Sequence, residues 1–250
     1  MLNFKFVRHF SLLVVLSGVL SACTSSPDEI ERISDRSPQA RYQDAKDFIN
    51  SELYNRAITI LNDLESRYPY GALSRQVQID LMFAYYKAGR FDEALPAIDR
   101  FLKLNPNHPQ SDFVVYLKGL VNQEKGLNGF QEFFGLSNAD KDMESSRAAF
   151  ADFKKLIKKY PDSMYIEDAK KRMVTVLNRL AEHEIVIAQY YMRRSSYVAA
   201  VNRCKYVVEY YKDSASVVPA LKIMVEAYDK LGLEQMKSDA ETVLAANSAS

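Results

Sequence analysis

Between Gln78 and Pro106, in QIDLMFAYYKAGRFDEALPAIDRFLKLNP, apolar residues recur twice at the three- and four-residue spacing of an amphipathic helix, with a glycine between the two runs. Leu81 and Tyr85 lie one turn apart on the first predicted helix. Ala94, Ile98 and Phe101 form the stripe of the second, and Pro106 stops it. Gly89 falls where the chain must reverse, which suits a residue free to take a left-handed backbone. Small Ala94 lets the two helices approach closely, while larger residues fill the groove towards a next hairpin. One hairpin cannot bury both of its faces, so the pattern implies further copies.

Those copies are present. Ala45, Phe48, Ala57, Leu61, Leu64 and Pro69 stand 37 positions before Met82, Tyr85, Ala94, Ile98, Phe101 and Pro106. A third copy has Ala149, Phe153, Leu156 and Pro161 in its second helix, with Gly119 as the landmark of its first. A fourth places Ala188 and Tyr191 on a long helix from about Ile166 to Arg194, turns at Ser195 and Ser196, and continues with Ala200, Cys204 and Val207; Lys212 takes the proline's place. Tyr228 and Gly232 mark a last, Ala-rich copy of capping character. The spacing is similar to the tetratricopeptide pattern, in which a leucine and a tyrosine precede A-x3-F and a closing proline. The fold expected is all-α, an α-solenoid of about five tetratricopeptide hairpins over residues 39–247: 39–70, 75–108, 113–161, 166–212 and 218–247. The third copy carries an insertion, 126–145, with three glycines and Phe130, Phe133 and Phe134. It is expected to protrude between helices, its phenylalanines folding back onto the solenoid rather than forming an exposed patch.

Composition narrows the chemistry. With 33 basic against 32 acidic residues the chain lacks the basic footprint that nucleic acid requires, so no nucleic-acid partner is expected. Of its three histidines, His183 begins an H-E-x-x-H-like run, but Ile187 stands where the second ligand belongs, so no metal site is read there. Neither a phosphate-binding loop nor a nucleophile elbow appears, and Cys204 falls at a large core position. Glu182 and Glu184 read as a solvated face. No catalytic residues and no cofactor are expected.

Residues 1–22 read as a secretory signal: Lys5 and Arg8 precede an apolar run from Phe10 to Leu20 that is too short to span a bilayer. Leu20-Ser21-Ala22-Cys23 resembles the bacterial lipobox, in which the cysteine receives a diacylglyceryl group and, after cleavage, becomes the acylated N-terminus. Cys23 is thus the expected lipidation site, and acyl chains would anchor the protein to a membrane without a transmembrane helix. Thr24 rather than Asp at the next position implies outer-membrane sorting. Residues 23–38 form the lipidated N-terminus and a polar tether.

Taken with RYPYG (Arg67 to Gly71), VQIDLMFAYYK, AIDRFLKLNP and GFQEFFG, these features closely resemble the BamD family, the tetratricopeptide lipoproteins of the outer-membrane β-barrel assembly machine. The resemblance covers essentially the whole chain. It implies a non-enzymatic scaffold on the periplasmic face of the outer membrane, whose C-terminal repeats bind the POTRA region of BamA. The N-terminal repeats would receive unfolded outer-membrane proteins and contact other lipoprotein subunits. Inward positions of the first helices in repeats one and two, Tyr42, Asn50, Phe83, Tyr86 and Lys87, are the implied substrate contacts. For the partner, Arg193, Arg194 and Arg203 flank the Ser195-Ser196 turn with Asn202 alongside. Arg203 is singled out because a guanidinium holds a carboxylate bidentately. Arg203→Glu is expected to weaken BamA binding with the melting temperature near wild type. Architecture alone would also fit another periplasmic scaffold, such as one coordinating peptidoglycan synthesis.

Overall fold

The computed structural model describes residues 36–132 and 139–248, with side chains for 36–126 and 143–248. Among them are ten helices and no strand: α1 (Pro38–Asn50), α2 (Tyr54–Arg67), α3 (Ser74–Lys87), α4 (Phe91–Leu104), α5 (Ser111–Glu132), α6 (Ala139–Lys159), α7 (Ile166–Arg193), α8 (Tyr197–Tyr210), α9 (Val217–Leu231) and α10 (Glu234–Ser248). The described residues fall into two compact units, one up to Val77 and one from Gln78, with the boundary inside α3.

In the first unit, Ser37 caps α1 by accepting from the Ala40 amide, and Pro38 occupies the first turn, where no helical donor is lost. Ala45 and Ala57 are fully buried, so α1 and α2 meet through small side chains backed by Ile58, Leu61 and Leu64. Arg41, buried on α1, pairs with Asp63 on α2, which Arg67 also holds at 2.8 Å. Burial works to raise the Asp63 pKa, but the hydrogen bonds from Arg41 and Arg67 outweigh it and hold the carboxyl below its ordinary value.

The second unit repeats this logic. Each helix from α4 onward packs against the next, and α7 also reaches α9. Ala94, Ala149, Ala188 and Ala200 are all fully buried at the close contacts the periodicity assigns them, and Cys204 at its large core position. Gly119 shows why one such contact needs glycine: a Cβ there would lie 2.5 Å from the Phe153 ring, itself fully buried. The long helix expected from about Ile166 to Arg194 is α7.

Helix reversals share one backbone device. Glu52, Gly89, Ser195 and Gly232 all have positive φ, at 59°, 72°, 56° and 69°. Glu52 and Gly89 are 37 residues apart, and so are Ser195 and Gly232. At the other end of the first two hairpins, Ser74 and Ser111 donate through Oγ to the carbonyls of Pro69 (2.6 Å) and Asn105 (3.3 Å), fastening the turns that the prolines begin.

Much of the 126–145 stretch is helical. Helix α5 runs through Gly126 and Gly129 to Glu132, and α6 starts at Ala139, so most of the surplus residues lengthen two helices. Packing of α5 against α6 overrides the cost of about 1 kcal/mol that each glycine carries inside a helix. The Phe130, Phe133 and Phe134 side chains lie outside the described residues.

Candidate functional site

In the first unit, the start of α1, the end of α2 and the turn after it enclose a pocket of about 210 Å³. Pro38, Leu64, Tyr68, Leu73 and Val77 supply its apolar walls. No titratable carboxylate or amine lines it, so it offers van der Waals contact and desolvation rather than charge. The RYPYG stretch forms the turn beside it, where Tyr70 is 95% exposed. Tyr42 is half-buried on α1 and Asn50 exposed at its end; neither lines the pocket.

Phe83, Tyr86 and Lys87 stand on α3 in the second unit. The Phe83 ring, half-buried, lies 6.5 Å from Phe113, which lies 5.6 Å from Tyr165, and Tyr165 stacks on Tyr116 at 4.7 Å. Phe83 thereby begins an aromatic ladder and keeps only part of its ring for a ligand. Tyr86 packs against the core, where burial first and then Glu124 push its phenol pKa up. The Tyr116 hydroxyl donates to Asp168, which also accepts from Arg172; burial followed by that bond pushes Tyr116 up to about 12. Lys87 is exposed.

A second concave surface opens at α7 and α8. Helix α8 buries Ala200, Cys204 and Val207 on one stripe, and Tyr211 just past its end is buried as well. Ala199, Asn202, Arg203 and Tyr206 lie on the opposite one and join Tyr191 of α7 around a groove of about 340 Å³. Tyr206 contacts Tyr210 at 4.6 Å and meets Tyr211 edge-on at 5.5 Å; Tyr210 and Val198 are exposed. Near the end of α7, Arg194 lies over the Tyr190 ring at 5.3 Å and donates to its hydroxyl at 2.7 Å. Arginine and tyrosine on a surface of this kind are the residues that dominate protein interfaces.

Asn202 and Arg203 therefore sit together in the groove, and Arg194 stands with Tyr190; Arg193 is exposed but is not a groove residue. The reading of Glu184 as solvated needs correction. Its side chain is 5% exposed, and its Oε2 accepts from Arg203 Nη1 at 3.1 Å, while Arg203 itself is 44% exposed. Glu182 is exposed as expected. Because Arg203 answers a buried carboxylate, its reversal to Glu would put like charges together inside the fold, so a wild-type melting temperature no longer follows. Tyr191, Tyr206 and Tyr210 were missed, although Asn202, Tyr206 and Tyr210 follow one another at four-residue steps, a stripe pointing away from Ala200 and Cys204.

Catalytic alternatives gain nothing from the geometry. Burial pushes the Cys204 thiol up to about 12, so it is no nucleophile at neutral pH. Among the described residues, no three or more His, Cys, Asp and Glu side chains are placed to hold a metal, and no helix is long and apolar enough to cross a membrane. Cys23 lies outside the described residues.

The family model described as YfiO, outer membrane lipoprotein, matches residues 34–243. The outer membrane protein assembly factor BamD of Vibrio cholerae is 42% identical over 223 residues, covering 87% of this chain and 91% of that protein. The protein of the same name from Neisseria meningitidis is 37% identical over 244 residues, covering 96% and 91%, and that from Haemophilus influenzae is 32% identical over 241 residues, covering 96% and 90%.

Proposed function

The chain belongs to the YfiO family of outer membrane lipoproteins, and from that premise we propose that it is a non-enzymatic assembly factor for outer membrane proteins. What carries the reading is the extent of the likeness: relatives named as assembly factors align with 87% to 96% of the chain at 32% to 42% identity. A helical scaffold suits such work. Its binding residues are preformed on rigid helices, so capturing a partner or an extended substrate costs little ordering.

In this reading Cys23 carries the diacylglycerol and N-acyl lipid that hold the protein at the periplasmic face of the outer membrane. The α7–α8 groove engages the POTRA region of BamA, with Arg203 and Asn202 at its centre and Arg194 and Arg193 at the α7 end. Tyr191, Tyr206 and Tyr210 are added to that surface as rigid aromatic contacts. Unfolded substrates meet Tyr42, Asn50, Phe83, Tyr86 and Lys87, and the pocket beside Tyr68 and Leu73 takes one of their apolar side chains. The N-terminal repeats also contact other lipoproteins of the assembly machine.

The deciding experiment is purification of the tagged, lipidated protein from solubilised outer membrane. BamA is expected to come with it, and its absence would reject the assembly role. Cys23→Ser is expected to move the protein from the membrane to the soluble fraction while leaving its melting curve unchanged, because the anchor lies outside the helical body. Retention in the membrane fraction would remove the lipid anchor from the account.

A further inference from the structure

We propose that the lysine-rich end formed by α6 and α7 is a peripheral membrane-contact surface that takes the anionic phospholipid headgroups of a bilayer. In a chain whose basic and acidic residues nearly balance, residues 154–172 hold seven cations against three anions. Two of those anions are already neutralised, Glu167 by Lys170 at 2.7 Å and Asp168 by Arg172. Asp162 is the one anion of this stretch outside such a pair, against the exposed Lys154, Lys155, Lys158, Lys159 and Lys171; of these, Lys155 also feels Asp152 and Lys171 feels Glu167 and Asp168. Lys159 lies over the Tyr160 ring at 5.0 Å. Lys154, Lys155, Lys158 and Lys171 make no hydrogen bond or ion pair among the described residues. Helices α6 and α7 pack together, so the last turns of one and the first turns of the other present these charges at a shared end.

Lipid is favoured over a protein partner by the kind of residue present. Protein interfaces are enriched in arginine and aromatics and depleted in lysine, and the α7–α8 groove fits that description while the α6–α7 end does not. Lysine is a strongly hydrated point charge on a flexible apolar stem, suited to a diffuse layer of phosphates rather than to one fixed carboxylate. On the turn joining the two lysine-bearing helices, Met164 is 84% exposed, an unbranched apolar side chain available to enter the headgroup region. Each lysine brought to an anionic bilayer is worth about a fivefold gain in binding. Such a surface would orient a protein that its acyl chains only tether.

The test uses the Cys23→Ser protein without residues 1–22, which has neither the acyl anchor nor the apolar signal, and vesicles of phosphatidylethanolamine with or without phosphatidylglycerol. Co-sedimentation is expected only with phosphatidylglycerol and is expected to weaken as salt rises, because screening shortens the range of surface charge from about 10 Å at 0.1 M to about 3 Å at 1 M. Replacing Lys154, Lys155, Lys158 and Lys171 together by Glu is expected to reduce vesicle binding by about a hundredfold or more. Should that set fail to give the wild-type helical circular dichroism, the same four positions changed to Gln are expected to give the same direction of loss. Absence of binding by the parent protein, binding indifferent to phosphatidylglycerol, or binding unchanged by the folded lysine variants would each overturn the proposal. So would variants that keep vesicle binding but lose BamA, since the lysines would then belong to a protein contact. The vesicle result and the BamA co-purification are independent, so the assembly role and the lipid surface can fail separately.

Discussion

The first hairpin, α1 with α2, and the fourth, α7 with α8, bury a charged residue at the same place and with opposite sign. Arg41 stands eleven residues before the left-handed Glu52, and Glu184 eleven residues before the left-handed Ser195. Arg41 and Glu184 side chains are 4% and 5% exposed, and each is answered from the second helix by a partner nearer water, Asp63 at 34% and Arg203 at 44%. The common skeleton thus hides one charge inside each hairpin, and the sign of the hidden charge decides what the outer helix presents. A carboxylate, shared with Arg67, appears on the first hairpin and a guanidinium beside a tyrosine groove on the fourth. Repetition governs the close contacts and the turns; binding chemistry is written on the faces that repetition leaves free.

The strongest way to break this comparison is to remove the outer partner in the first hairpin. Asp63→Ala leaves Arg41 buried with no carboxylate, and its Nε is already buried without an acceptor. The expected loss is on the order of 3 kcal/mol, at the low end for stranding one member of a buried pair because Asp63 is partly wet. Urea unfolding at neutral pH measures it. The sign of its pH dependence follows from the direction of the shift. The folded Asp63 pKa lies below its ordinary value, so its stabilising contribution is present above that value and is lost as pH falls through the folded pKa. The gap between wild type and Asp63→Ala should therefore close below about pH 4. A constant gap across that range would mean that the alanine costs stability through packing rather than charge.

Arg203→Gln performs the corresponding cut in the fourth hairpin and strands Glu184. Its cost is expected to be smaller, about 2 kcal/mol, since Arg203 is the more exposed partner and water can take its place. Adding Glu184→Gln should recover most of that loss, because an uncharged pair no longer demands compensation. BamA binding should remain weak in the double variant, since the guanidinium is still missing from the groove. Full recovery of both stability and binding would move Arg203 out of the partner surface and make its role purely internal.

Much of this skeleton can be read from residue spacing, for a physical reason. Ala57, Ala94, Ala149 and Ala200 mark places where two helices touch, and nothing larger fits, so the periodicity and the packing are one fact. Pro69, Pro106 and Pro161 stop helices through their own chemistry, independent of the tertiary fold. Glu184 shows where such reading goes astray. It follows Ala181 by three residues and precedes Ala188 by four, squarely on the buried stripe, but a carboxylate there argues for solvent unless the arginine across the hairpin is known. The apolar pocket depends on how a turn folds over two helix ends, and no period encodes that. The glycines of 126–145 mark an insertion without giving its conformation, and helix packing carries α5 straight through Gly126 and Gly129.

The smallest expected effect concerns the turns that the two hairpins share. At Gly89 and Gly232 an added Cβ would meet nothing within 4 Å, so replacing either by alanine tests the backbone alone. A left-handed conformation costs a residue with a Cβ roughly 1 to 2 kcal/mol, partly offset because alanine loses less entropy on folding than glycine. Gly89→Ala and Gly232→Ala are therefore expected to lower stability by about 1 kcal/mol each. Glu52 and Ser195 hold the same conformation with a Cβ present, so the reverse change should help. Glu52→Gly and Ser195→Gly are expected to stabilise by a few tenths of a kcal/mol, about the size of the glycine preference left after its entropy cost. Thermal unfolding of the four variants side by side checks the set. A loss of stability in Ser195→Gly, beside a gain in Glu52→Gly, would show that the two turns are alike in backbone only, and that the serine side chain helps to hold the arginine-bearing end of α7.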